Sequence, residues 1–235
     1  MRIQNTEYRI QNKEILQIKI CGLTRIDDAV NCANLGASAI GFVFYSKSPR
    51  NIGEIKAKEI ISHLPANIKT VGVFVNESFS SIMHKADFCG LNAVQLHGQE
   101  SPDLANQIAD EGLMVIKALF TENSPSLSQA HLYNASAFLV ECGRGILPGG
   151  NAMQWNWSQA SDFGDQFPFI IAGGLAPDNV ANVINESRPD AVDVSSAVES
   201  RPGIKDIEKV KSFIKSVHIC PASIELYRRS IRKIF

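Results

Sequence analysis

The chain has 235 residues, 45% of them hydrophobic and 20% charged, which is the composition of a protein with a sizeable apolar core and excludes a disordered chain or a mini-protein that needs staples. Its 23 Lys and Arg face 24 Asp and Glu, so no surplus of positive charge exists to supply the counterion-release affinity of non-specific nucleic-acid binding. Nucleic acid is therefore not an expected partner.

Residues 1–15 are polar, repeat Arg-Ile-Gln-Asn at 2–5 and 9–12, and read as an extension outside the folded unit. From residue 16 onward, apolar runs too continuous for half-exposed antiparallel strands alternate with segments of helical character. Strands are predicted to begin near Gln17, Ala39, Lys69, Asn92, Met114, Ala137, Pro168 and Asp190. Thr24 or Asp27 is placed to cap the first helix, Gly36, Gly90 and Gly112 to close helices, and Val180, Val183 and Ile184 to form one apolar helix face. Successive strand starts lie 22 to 31 residues apart, the length of one strand, one crossover helix and two short loops. Eight such units within 16–218 predict a single (β/α)8 TIM barrel with eight parallel strands, in preference to a doubly wound sheet. Residues 219–235 form a basic tail, expected to be helical and packed on the barrel.

The cysteines at 21, 32, 89, 142 and 220 are odd in number and show no Cys-x-x-Cys spacing, which fits a reduced, cytoplasmic setting. His63, His84, His131 and His218 share no ligand spacing, so no metal is expected. No apolar run reaches the length of a membrane span, and the first residues lack the hydrophobic segment of a signal peptide; neither membrane nor secretion is expected.

In barrels of this kind reactive groups sit at the C-terminal ends of the strands. Those ends supply Cys21, the stretch from Tyr45 to Arg50, Asn76, His97, Lys117, Glu141, Gly173 with Gly174, and Asp193 with Ser195 and Ser196. The glycine pair and the serine pair, ending the seventh and eighth strands, can wrap backbone N–H groups around a phosphate, so a phosphorylated small molecule is the expected substrate. Cys21 is expected to face the mouth as a working thiolate, its pKa lowered from about 8.5 toward neutrality, rather than to be an inert buried thiol. Glu141, delivered by an apolar strand, suits a general acid; the alternative is an ion pair with Arg144 or Lys117. Arg50, in a loop stiffened by Pro49, suits a carboxylate or phosphate. His97 can shuttle protons, bind ligand, or make a structural hydrogen bond.

These positions sit in motifs: K-I-C-G-L-T-R at 19–25, G-F-V-F at 41–44 with S-P-R at 48–50, V-G-V-F-V-N at 71–76 and V-Q-L-H-G-Q-E at 94–100. P-G-G at 148–150, I-A-G-G-L-A-P-D-N-V at 171–180, V-D-V-S-S-A-V-E from 192 and P-G-I-K-D at 202–206 follow. In this order, from about Gln17 to Val217, the chain resembles the phosphoribosylanthranilate isomerase family. The resemblance implies an Amadori rearrangement without metal or organic cofactor; the sequence leaves monomer and homodimer both open. It implies Cys21 as general base, Glu141 at the place of the usual aspartate acid, Arg50 on the anthranilate carboxylate, and His97 and Asp193 lining the site. Gly173, Gly174, Ser195 and Ser196 would hold phosphate. Asn151 and Ala152 replace a usual threonine and glycine, and Ala197 replaces a usual glycine. The alternatives are isomerisation of a histidine-pathway aminoaldose, whose barrels use paired aspartates, and a degenerate barrel that binds a phosphosugar or partners other tryptophan enzymes.

Overall fold

The structure, a computed structural model, describes residues 16–145, 153–220 and 231–235. The expected N-terminal arm, the loop with Asn151 and Ala152, and residues 221–230 of the expected tail helix lie outside the described residues.

The short apolar runs become strands β1 (Gln17–Cys21), β2 (Ala39–Phe44), β3 (Lys69–Phe74) and β4 (Ala93–Leu96), then β5 (Met114–Phe120), β6 (Ala137–Glu141), β7 (Phe169–Ile171) and β8 (Ala191–Val194). Each pairs in parallel with the next, and β8 returns to β1, closing the barrel that the sequence predicts and excluding the open sheet. Five strands begin at the predicted residue, and β4, β7 and β8 begin one residue later.

The two-residue side-chain period of a strand divides the apolar residues into two cores. Ile18, Ile20, Phe42, Phe74 and Phe138 point outward and pack under the helices. The inward set fills the barrel, and the alanines that open the four even strands, Ala39, Ala93, Ala137 and Ala191, are all fully buried there. Four methyl groups fill little space. Ile234 and Phe235 belong to this inner cluster, closing the end of the barrel opposite the strand C-termini. The side-chain oxygen of Gln17 accepts from the N–H groups of both, and Arg232 pairs with the buried carboxylate of Asp190 at 2.9 Å. Residues 231–235 run without regular secondary structure.

The helices are α1 (Ile26–Asn34), α2 (Glu54–Ile61), α3 (Phe79–Cys89), α4 (Pro102–Asp110), α5 (Phe163–Gln166), α6 (Val180–Ser187) and α7 (Ile207–His218). Serine caps α3 and α4, with Ser78 accepting from Ser81 N–H and Ser101 from Leu104 N–H. Gly36, Gly90 and Gly112 all take positive φ after helices, and Val180, Val183 and Ile184 are fully buried. The expected cap of α1 is different. Arg25 holds the N-cap position without a side-chain bond: Thr24 Oγ1 donates instead to the Gly203 carbonyl, and Asp27 lies inside the first turn of the helix, beside Asp28, whose carboxylate accepts from Lys205 N–H. The helical crossover expected between β5 and β6 is also shorter: only a 3-10 turn, Leu127–Leu132, spans it, started by reciprocal bonds between Ser126 and Gln129.

Candidate active site

A cleft opens among the strand C-termini. Cys21 from β1 and Glu141 from β6 both line it, with Arg50, His97 and Asp193, and so do the Gly173–Gly174 and Ser195–Ser196 pairs. The cleft therefore gathers all of these positions from six separate strand ends or the loops that follow them.

Cys21 and Lys19 share the inward face of β1, two residues apart. Lys19 is fully buried, and its Nζ lies 3.0 Å from Asp193 Oδ1 on the adjacent strand, where the two residues are register partners. Burial pushes the Cys21 thiol above its ordinary pKa, with Lys19 and Lys205 pulling it down and Asp193 pushing it further up. This corrects the expectation of a lowered thiol: in the resting site desolvation outweighs the nearby cations. Burial pushes the Cys32 thiol, behind the barrel wall, up to about 12. Burial lowers the Lys19 pKa, but Asp193 and Cys21 together raise it above the ordinary value, so it stays an ammonium.

On the opposite wall His97 joins two partners. Its Nε2 lies 3.1 Å from Glu141 Oε1 and its Nδ1 2.8 Å from Gln95 Nε2. Glu141 thus pairs with His97 and not with Arg144 or Lys117, which pair instead with Glu122 and Glu100. Gln95 is almost fully buried, lines the cleft, and has a side-chain oxygen with no hydrogen-bond partner among the described residues.

Arg50 is no solvated loop residue. It is 6% exposed, and its Nε and Nη2 form a two-pronged pair with Glu199 at 2.9 and 2.7 Å. Burial raises the Glu199 pKa, but the hydrogen bonds and charges of Arg50 and Lys205 hold it below the usual carboxylate range. Glu199 and Lys205 come from a hairpin beyond the barrel, β9 (Glu199–Arg201) with β10 (Ile204–Lys205). The Lys205 Nζ donates to the carbonyls of Cys21 and Ser195 and to Glu199, tying the ends of β1 and β8 to the arginine.

The glycine pair is fixed from both sides. Gly174 has φ 72°, and a Cβ there would stand 2.7 Å from Met153 O and Gln154 N, so the segment that precedes Trp155 rests on bare backbone. Trp155 and Trp157 donate their indole N–H groups to the carbonyls of Ala172 and Gly173, and Asn179 donates to that of Gly174. Beyond β8, Ser195 Oγ donates to the Cys21 carbonyl, and Ser196 opens a 3-10 turn, Ser196–Val198. Among described non-glycine residues only Asn76 and Arg188 take positive φ, so Ala197 meets no backbone conflict in the glycine's place.

Two strand-end candidates do not line the cleft. Lys117 is fully buried, bonding the carbonyls of Leu96 and Gly98 and the carboxylate of Glu100, and Asn76 accepts from Gln99 N–H. They brace the turn after β4 that carries His97. Sequence reasoning missed Lys19, Gln95, Glu199 and Lys205. The first two stand two residues before Cys21 and His97, where strand alternation points them inward; the hairpin pair carries no such signal. Among the described residues no group of His, Cys, Asp and Glu is arranged to hold a metal ion, and no helix is long and apolar enough to cross a membrane.

The family model for N-(5'-phosphoribosyl)anthranilate (PRA) isomerase matches residues 18–216. An N-(5'-phosphoribosyl)anthranilate isomerase of Desulfatibacillum aliphaticivorans is 49% identical over 201 residues, covering 86% of this chain and 92% of that one. The crystal structure of phosphoribosyl anthranilate isomerase from Thermotoga maritima superposes with a TM-score of 0.80 at 41% identity, covering 86% of this chain and 98% of the other. A further crystal structure of such an isomerase, in complex with reduced 1-(o-carboxyphenylamino)-1-deoxyribulose 5-phosphate, has a TM-score of 0.77 at 40% identity with the same coverage. The chain belongs to the N-(5'-phosphoribosyl)anthranilate isomerase family.

Proposed function

We propose that this chain converts N-(5-phosphoribosyl)anthranilate to 1-(2-carboxyphenylamino)-1-deoxyribulose 5-phosphate in tryptophan biosynthesis. The observation that carries the reading is one cleft lined by a thiol and a carboxyl from strands on different sides of the barrel, together with an arginine and two phosphate-type turns. Glu141 gives a proton to the ribose ring oxygen as the ring opens, and the positive iminium that results acidifies the neighbouring sugar carbon. The Cys21 thiolate takes that carbon's proton; the C–H electron pair becomes a carbon–carbon double bond and the iminium nitrogen is neutralised. The thiol then returns a proton to the adjoining carbon. As the enol becomes the ketone, its hydroxyl proton replaces, through solvent, the one that Glu141 gave up.

Arg50, held by Glu199, faces the anthranilate carboxylate with the edge that Glu199 leaves free. The turns at Gly173–Gly174 and Ser195–Ser196 hold the phosphate, and His97 and Asp193 flank the sugar. With both substrate ends held, the reacting carbon stands between base and acid. Purified protein mixed with N-(5-phosphoribosyl)anthranilate should remove the anthranilate fluorescence catalytically. A purely binding barrel would bind a reduced product analogue in calorimetry with no turnover at high protein concentration; that outcome would overturn the reading.

A further inference from the structure

We propose, resting on the reading of Cys21 as the base, that Lys19 is a positioning residue for the isomerisation: its buried ammonium, fixed by Asp193, supplies the counter-charge against which the Cys21 sulfur becomes a thiolate. Three features place it there. Lys19 lies one strand period before Cys21 on the inward face of β1. Asp193, its register partner on β8, holds Nζ at 3.0 Å and fixes the direction of a fully buried four-carbon side chain. Finally, Nζ and Sγ converge over Gly41: a Cβ on that glycine would stand 2.8 Å from the Cys21 sulfur and 3.2 Å from the Lys19 nitrogen.

The chemistry requires such a group. Desolvation disfavours a lone thiolate in this site, and an anion survives burial only beside a hydrogen-bonding cation. The charged groups acting on Cys21 come from three elements. Asp193 on β8 opposes the thiolate, and Lys205 on β10 favours it from a seat on the Cys21 carbonyl. Lys19 on β1 favours it with its ammonium, which converges with the sulfur over Gly41. His97 and Glu141, from β4 and β6, bear on Asp193. An ammonium offers three N–H donors, so Lys19 can serve Asp193 and the sulfur together. Nothing in the proton transfer consumes it: Lys19 keeps its proton while the sulfur gains and loses one.

The test titrates Cys21 in the folded protein through the pH dependence of its alkylation by iodoacetamide, read on the Cys21 peptide by mass spectrometry. In Lys19→Met the midpoint should rise by about one pH unit or more, slowing alkylation at neutral pH about tenfold, and the acid limb of kcat/KM should move up with it. Lys19→Arg, which keeps the charge, should hold the midpoint near that of the unmodified chain. Should Lys19→Met fail to fold, Lys19→Gln takes its place with the same expected rise, since its amide can still donate to Asp193. An unmoved Cys21 midpoint in a folded, charge-free variant overturns the proposal. A Lys19-dependent midpoint in a chain that does not turn over the substrate supports the coupling while refuting the isomerase reading.

Discussion

At the scale of single residues, the site depends on one position having no side chain at all. Gly41 is the register partner of Cys21 on β2, and the space above its Cα is shared by the sulfur and the Lys19 ammonium. A methyl group there must displace one or both, with the Cys21 Cα only 3.1 Å away, so the strand cannot simply relax around it. Gly41→Ala should therefore destabilise the protein by about 1–3 kcal/mol, as overpacking does. Activity should fall by more than this implies, about a hundredfold in kcat, because the base moves relative to the reacting carbon. Denaturant unfolding and steady-state kinetics on the same preparation check the two effects, and a stable variant with unchanged kcat would show that the sulfur's position is not set here. The contrast between Cys21 and Cys32 follows the same logic. Both thiols are buried, but only the Cys21 sulfur converges with the Lys19 ammonium over Gly41, and of the two only Cys21 opens onto the cleft.

The β9–β10 hairpin shows how an element outside the barrel completes the site. It returns Glu199 and Lys205 to the ends of β8 and β1, and Glu199 holds Arg50 in a buried pair whose side chains are 8% and 4% exposed. The folded pKa of Glu199 lies below its unfolded value, so its contribution to stability is present above about pH 4.3 and is lost as pH falls through the folded value. Glu199→Gln should cost about 3 kcal/mol near neutrality, because Arg50 and Lys205 keep their charges without their shared partner. The gap between variant and parent in denaturant midpoint should narrow as the pH is lowered below about 4.3, and KM should rise more than kcat falls, since Arg50 loses its orientation. A gap that stays constant with pH would contradict this assignment. The hairpin also marks the limit of what the sequence discloses. Strands were legible because runs buried on both faces are continuously apolar, and the strand ends led to Cys21, His97 and Glu141. Lys19 and Gln95 were legible in principle, through the two-residue period. Glu199 and Lys205 were not, because their place depends on the chain folding back, and the β5–β6 crossover was misjudged because 23 residues between strand starts leave the connection's form open.

At the scale of the whole molecule, the two ends of the barrel have separate tasks. The C-terminal end holds the cleft, and the opposite end is closed by Ile234 and Phe235 beneath the four alanines. Phe235→Ala should lower stability by about 2–4 kcal/mol through the cavity it leaves, with kcat and KM unchanged because the cleft lies beyond the inner core. An unchanged thermal midpoint would mean that the tail does not close the barrel in solution. The central claim concerns the other end: a thiol and a carboxyl from separate strands act on one sugar. It is tested most directly by single-turnover conversion of N-(5-phosphoribosyl)anthranilate in the parent chain beside Cys21→Ala, Glu141→Gln and Glu141→Asp. The account predicts losses of about a thousandfold for the first two, with folding intact, and partial activity for the third, whose shorter carboxyl can still donate a proton. Undiminished conversion by either Cys21→Ala or Glu141→Gln would contradict it.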